Sequence, residues 1–406
     1  MEQTSLAGQI LTPTGWVAGT LRCTAQIVAV EPGPAPDDRF ILPGFVDLHV
    51  HGGHGADCMD GADAVRQMAQ FHARHGTTSL LATTVTAPAA DLRRAMAGIA
   101  QAMRQPGPGA RVLGAHLEGP FISPDKLGAQ PPFAIPPDLA LLEELAALAP
   151  IRVATYAPEI DPTGELLAAF LHLGTRAQIG HTTCSFAQAR AALAAGAAGF
   201  THLFNAMSGL HHRDAGAGGA ALALGQSAEL ILDLHHVDEG AALAALRAIP
   251  GLHCVTDAVA AAGMPDGSYH LGTHPIFKRG ETVRLADGGL AGSVLTMDLA
   301  LRNLLRLGLP LALRRGVRRL LHRGGKLGEK RRGLRVQLAY LRLQLGKKAV
   351  GLKQRANNGS CLEPSLQRRR QAAPEPAAGP AVLMIRGRCV AVHFTLSPGF
   401  AQSGYS

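Results

Sequence analysis

Aromatic residues are scarce in this chain: twelve Phe, four Tyr and one Trp make up 4% of 406 residues. With 47% hydrophobic residues, the core must be built mainly from small aliphatic side chains. It can fill one large domain, or one large domain and a small one. No run of about 18 uncharged apolar residues occurs, so no membrane-spanning helix and no membrane partner are expected. CxxC spacing is also missing. The six cysteines, Cys23, Cys58, Cys184, Cys254, Cys361 and Cys389, are scattered. That argues against a cysteine zinc site or a disulfide framework and fits a reducing cytoplasm. The opening MEQTSLAGQI lacks the basic start and apolar core of a secretion signal, so a cytoplasmic protein is expected.

Acidic residues run short at one end only. Residues 1–310 carry 19 Lys+Arg against 27 Asp+Glu, a net −8, whereas residues 311–406 carry 20 against 3, a net +17, with no Asp. The formal charge of +9 thus averages two unlike materials joined near Pro310. A basic tail usually suggests nucleic acid or an anionic surface. Tyr340 is the one aromatic between 311 and 390, which leaves little to stack on bases. No nucleic-acid partner is therefore expected, although a nucleic-acid-binding protein working through this tail is the alternative from a different function class.

What the chain does contain is rhythm. Residues 1–40 read as a few short strands and a loop, forming a small β-sandwich domain. From 41 to 310, strand-like runs near 41–48, 78–85, 111–117, 151–155, 176–179, 199–203, 229–233 and 252–256 alternate with Ala- and Leu-rich helical stretches. Those helices are predicted at 62–74, 88–104, 138–148, 162–172, 185–195 and 238–248. Such alternation implies parallel pairing, and eight strands predict an α/β fold, a closed (β/α)₈ TIM-type barrel. The Gly-rich link from 203 to 229 reads as a long loop, with "GAGG" at 216–219 taken as flexible. Residues 311–406 form a third, basic segment.

Polar residues gather just past the strand ends. "PGFVDLHVHGG" delivers His49 and His51, whose side chains, two apart on a strand, point the same way. "GAHLEGPF" delivers Glu118, "QIGHTTCS" His181, "FTHLFNAMSG" His202, "LDLHHVDE" His235 and His236, and "VTDAVAAAGMPDG" Asp257. In a parallel barrel these ends share one face, where catalytic groups sit. A lone His after a strand is usually a hydrogen-bonded loop residue. A recurring His, Glu and Asp set is harder to obtain by accident and suits Zn²⁺ or a similar divalent ion with one position left for water. Asp257, outside the apparent ligand cluster, is the natural carboxylate to take a proton from that water and pass it to a leaving nitrogen. His54, His72, His75, His253 and His270 lack such placement and read as ordinary. His211 and His212 read as solvated loop residues, Cys184 as a small buried residue and Asp47 as a structural strand-end carboxylate.

Seven segments, "PGFVDLHVHG", "GTTSLLATTVT", "GAHLEGPFISP", "IGHTTCSFAQARAALAAGA", "THLFNAMSGLHHR", "VTDAVAAAGMPDGSYHLG" and "LAGSVLTMDLALRN", resemble the amidohydrolase superfamily. Within it they are similar to the N-acetylglucosamine-6-phosphate deacetylases. The resemblance covers about residues 41 to 303. It implies Glu118, His181 and His202 as the main metal ligands, and His49 and His51 as holders of a second ion found in some members. One or two ions are thus expected, zinc first, with iron, cobalt or manganese as other choices. It further implies Asp257 as acid/base, His236 as the group that contacts the sugar and polarises the acetyl carbonyl, and Asn205, Ala206 and Arg213 as phosphate contacts in a homodimer. The implied reaction is deacetylation of N-acetylglucosamine 6-phosphate in amino-sugar catabolism. Alternatives are N-acetylgalactosamine 6-phosphate or another amidohydrolase substrate.

Two departures stand out. Gln130 occupies the place where the family often has His, and it can hydrogen-bond a sugar hydroxyl or phosphate without carrying charge. The family pattern also stops near residue 310, with the eighth barrel helix expected to be missing. The tail reads as out of frame, with a genuine basic extension as the other reading. Loss of that helix would bare apolar strand surface and impair this chain.

Overall fold

The computed structural model describes residues 3–24, 26–308 and 392–395. The N-terminal strands Thr4–Thr12, Gly15–Cys23 and Ile27–Pro32 form an antiparallel meander, and Arg39–Leu42 adds in parallel, Gln9 opposite Phe40. Val392–Thr395 pairs antiparallel with Arg39–Leu42, completing a five-stranded sheet. Ile10, Leu21 and Ile41 form its small core. Among the described residues this unit is a five-stranded sheet, and the rest of the expected sandwich falls outside the described residues. The rest of the tail lies outside the described residues.

Eight parallel strands follow: β1 Phe45–Val50, β2 Thr77–Thr83, β3 Arg111–Glu118, β4 Ile151–Tyr156, β5 Arg176–Ile179, β6 Gly199–Phe200, β7 Ser227–Ile231 and β8 Gly251–Val255. They pair in sequence order. β2, TTSLLAT, is buried at every position, as expected for a parallel strand covered on both faces. The ring closes through side chains and a bridge: Val50 pairs with Ala258, and the buried Asp47 carboxylate accepts from Thr256 Oγ1 at 2.6 Å and Thr256 N at 3.2 Å. Asp47 is therefore a structural strand residue, as expected.

Helices pack outside: α1 Ala62–Arg74, α2 Ala89–Arg104, α3 Leu139–Leu148, α4 Glu165–His172, α5 Phe186–Ala194, α6 Gly216–Leu224, α7 Glu239–Ala248 and α8 Met297–Arg306. α1 buries Val65, Met68, Ala69 and His72, an i, i+3, i+4, i+7 stripe that faces the barrel. α5 starts on a capping box in which Ser185 and Gln188 satisfy each other's backbone donors. No described helix is long and apolar enough to cross a membrane.

Two expectations need correction. The "GAGG" stretch is helical, within α6. Gly216 is required there because the helix starts close against the preceding loop: its φ is 54°, a Cβ on it would lie 2.7 Å from Gly209 O and 2.8 Å from Ser208 O, and Ala217 N donates to Ser208 Oγ at 2.8 Å. Four antiparallel strands, Gly267–Leu271, His274–Arg279, Thr282–Arg284 and Leu290–Ser293, intervene between β8 and α8, where no strands were predicted. The last helix among the described residues is α8. α8 buries Met297, Ala300, Leu301 and Asn303, and Asn303 Nδ2 donates to Leu232 O at 2.9 Å. The helix expected to be missing after residue 310 lies outside the described residues.

Candidate active site

The barrel topology gathers residues separated by two hundred positions. His49 lies in β1 with His51 just past its end, Glu118 is the last residue of β3, and His181, His202 and Asp257 each stand two residues past β5, β6 and β8. All are at most 8% exposed. His181, His202 and Asp257 have φ of 49°, 24° and 50°. A non-glycine residue in that left-handed region costs about 1–3 kcal/mol and marks a place where surrounding structure holds the backbone for a purpose.

Glu118 is the hub. Its Oε1 lies 3.0 Å from His202 Nε2, 3.3 Å from His181 Nε2 and 3.4 Å from His49 Nε2, and its Oε2 lies 3.2 Å from His51 Nε2. Asp257 Oδ1 is 3.1 Å from His51 Nε2 and 3.3 Å from His49 Nε2. Of three trios in which one ligand atom from each residue lies within 4.8 Å of the others, two share Glu118: Glu118 with His181 and His202, and Glu118 with His49 and His51; the third is His49 with His116 and Glu229.

The outer hydrogen bonds fix which nitrogens face inward. His51 Nδ1 lies 3.0 Å from the Thr83 carbonyl and His181 Nδ1 2.8 Å from the Lys126 carbonyl, while His49 Nδ1 is 2.9 Å from Glu229 Oε2. A ring nitrogen facing a carbonyl or carboxylate donates, so Nδ1 carries the proton and Nε2 presents a lone pair inward. Yet the Nε2 atoms of His49 and His51 are 3.2 Å apart, and those of His181 and His202 3.1 Å. Lone pairs facing each other and two carboxylates at this range repel unless a cation or protons lie between them. The donor set, imidazole nitrogen plus carboxylate oxygen, fits a divalent metal.

The electrostatics point the same way. Burial would push the Glu118 carboxyl up, but His49, His181 and His202 hold it well below the usual carboxylate range. Burial likewise opposes ionisation of Asp257, and His49 and His51 outweigh it, bringing it to about 2. Burial would lower His51, but Asp257 and Glu118 raise it to about 9. The pocket thus strongly prefers anionic carboxylates beside positive charge.

The other predicted residues divide. His236 lines the cleft, and its Nδ1 donates to Asp233 Oδ2 at 2.6 Å, leaving Nε2 as the edge that can meet a ligand. Asn205 and Ala206 also line the cleft. Arg213 does not: it is exposed, its Nη1 stands 2.8 Å from His212 Nε2, and no Lys or Arg is among the cleft residues described. His235 pairs loosely with Glu281 at 3.6 Å. Gln130 differs from expectation. It borders the cleft but is only 4% exposed, its Nε2 donating to Glu118 Oε2 at 2.6 Å and its Oε1 accepting from Thr86 N at 2.7 Å. Both ends of its amide are engaged by protein, so it braces a ligand.

Sequence reading missed Glu229 and Asp233, the carboxylates behind His49 and His236. Asp233 carried a signal, three residues before His236. Glu229 carried none beyond being an acid within the apolar run AELIL.

Residues 40–214 match the family model described as the amidohydrolase family. The chain is 41% identical over 313 residues to an N-acetylgalactosamine-6-phosphate deacetylase of Escherichia coli O157:H7, covering 74% of this chain and 83% of the relative. It is 40% identical over 282 residues to an N-acetylglucosamine-6-phosphate deacetylase of Bacillus subtilis, covering 66% and 71%. Among solved structures, it resembles a mutant N-acetyl-D-glucosamine-6-phosphate deacetylase of Mycobacterium smegmatis in complex with N-acetyl-D-glucosamine-6-phosphate. The TM-score is 0.71 at 33% identity, covering 76% of this chain and 85% of that one. With eight parallel strands, a mouth lined by imidazoles and carboxylates, and relatives of this kind along most of their length, the chain belongs to the amidohydrolase family, alongside its amino-sugar-phosphate deacetylases, and is a hydrolase of amide bonds.

Proposed function

We propose that the chain hydrolyses the N-acetyl amide of N-acetylglucosamine 6-phosphate, giving glucosamine 6-phosphate and acetate. One observation carries the reading: a single carboxylate, Glu118, is met on both oxygens by imidazoles already turned inward through their Nδ1 atoms, with Asp257 beside them.

Glu118, His181 and His202 would hold one divalent ion, and Glu118, His49 and His51 a second; zinc suits this nitrogen and oxygen set best. When bound, such an ion acidifies water towards a pKa of about 7 and polarises a carbonyl. The chain's own groups do the rest. Asp257, ionised at neutral pH, accepts the proton of the attacking water and returns it to the amine as the C–N bond breaks. His236 offers Nε2 to the acetyl oxygen, and Asp233 behind it steadies the positive charge that this donation requires. Asn205 and Ala206 approach the sugar phosphate. Arg213 meets that phosphate from a second copy of the chain, since within one copy it lies away from the cleft; its planar fork suits phosphate oxygens. The working form is then a homodimer in the cytoplasm.

A second substrate, N-acetylgalactosamine 6-phosphate, is favoured by the 41% identity to the E. coli relative. Acetate release measured on both sugar phosphates, side by side, tests the reading. A higher kcat/KM on the glucosamine compound supports it, a higher value on the galactosamine compound selects the second substrate, and no release from either refutes both.

A further inference from the structure

Of the three candidate metal ligands whose Nδ1 is held, His49, His51 and His181, only His49 has a carboxylate behind it. His51 and His181 give their Nδ1 protons to main-chain carbonyls, which are neutral. His49 gives its proton to Glu229, whose side chain is 0% exposed in the middle of β7. The same Oε2 accepts from His202 N at 3.3 Å, and Oε1 has no hydrogen-bond partner among the described residues. On the other side the His49 ring packs edge-on against His116, with ring centres 4.4 Å apart. His116 in turn is pinned by the Leu48 carbonyl at 3.1 Å and Thr155 Oγ1 at 2.7 Å. The ring is therefore clamped on two sides.

A wholly buried carboxylate is costly, by several kcal/mol in real proteins, unless positive charge compensates it. In the apolar run AELIL, a Leu would fill the barrel interior without that cost. Backing an imidazole with an anion raises the basicity of the opposite nitrogen and fixes the ring plane. Losing such a partner typically costs about 10–100-fold in metal affinity.

We propose that Glu229 is a positioning residue that acts through His49 to set the affinity of the His49–His51 half of the centre for its ion. This rests on the two-trio reading of the site given above. Glu229 makes the halves unequal. In the half built on His181 and His202, His181 Nδ1 faces a neutral carbonyl, His202 Nδ1 has no hydrogen-bond partner among the described residues, and Glu229 meets only the main-chain N of His202, so neither ring is backed by a charge.

The test is a titration of Co²⁺ into the metal-free full-length chain, followed by calorimetry and by visible absorption of the bound ion. The wild type binds two ions. In Glu229→Gln, which keeps an acceptor for Nδ1–H and removes the charge, one affinity falls about 10–100-fold and the other is unchanged. Adding Glu229→Gln to a His49→Gln background changes nothing further. Glu229→Asp, which keeps the charge at a longer reach, weakens the same ion selectively and serves if the Gln variant does not fold. The proposal is overturned if Glu229→Gln leaves both affinities unchanged, or lowers both alike as a merely structural role would. A wild type that binds a single ion overturns it while leaving the Glu118–His181–His202 site standing, and one that binds none overturns both.

Discussion

Replacing Gln130 by alanine separates a brace from a substrate contact. The side chain is 4% exposed and makes two bonds, 2.6 Å to Glu118 Oε2 and 2.7 Å from Thr86 N. Deleting it removes a hydrogen bond to a charged group, worth about 1.5–3 kcal/mol, and strands a buried amide at about 1–3 kcal/mol, so the loss is about 3–5 kcal/mol. For a domain of this size each kcal/mol moves the melting temperature by about 2 °C, which gives a fall of roughly 6–10 °C. A water entering the gap would reduce the fall and not abolish it. Scanning calorimetry of the metal-free Gln130→Ala protein measures this directly. Gln130→Glu sharpens it: the acceptor for Thr86 is kept, but two carboxylates then face each other, so the variant melts lower at about pH 8 than at about pH 5, where one of them takes a proton. If Gln130 served the sugar alone, melting would be unmoved and only KM would rise; that result would refute the argument.

Ion uptake depends on pH with a definite sign. Burial disfavours the His51 imidazolium, but Asp257 and Glu118 hold it protonated up to about 9 in the metal-free chain, so a metal must displace that proton. Apparent affinity falls by about tenfold per pH unit for each proton displaced as the pH drops below about 9, and binding acidifies an unbuffered solution; a pH-independent affinity between about 6 and 9 contradicts this. Arg213→Ala raises KM and leaves kcat nearly unchanged, while a variant with unaltered KM removes Arg213 from the phosphate site. Reading the encoding DNA in the other two frames after codon 310 uncovers a continuation of the family pattern; if neither frame does, the basic tail is genuine.

Much of this was legible because strands and helices alternate with different periods. Runs such as TTSLLAT and RVLGAHLE read as buried strands, and the stretches between them stood out as rich in Ala and Leu. β6 was harder. It shrinks to Gly199–Phe200 because the chain then turns through left-handed residues at His202, Phe204 and Ala206, a geometry that no periodicity announces. α6 was hidden by glycines that are poor helix formers but allow close approach to the loop at Ser208. The site followed from strand ends: His49, His51, Glu118, His181, His202 and Asp257 all stand where a parallel barrel must bring them together. Its outer layer did not. Glu229 meets His49 across 180 positions of sequence, and Lys126 and Thr83 contribute only carbonyls, which any residue type could supply. Gln130 could be placed near the site, but its role depends on which atoms it faces.

The central claim is that these buried imidazoles and carboxylates hold a metal while Asp257 moves the proton. It is tested most directly by elemental analysis paired with acetate release from N-acetylglucosamine 6-phosphate, on the wild type and on Asp257→Asn. The account predicts that the variant keeps the metal content of the wild type while its rate falls by about 10²–10⁴. A variant that keeps its rate, or one whose metal disappears together with its activity, would contradict it.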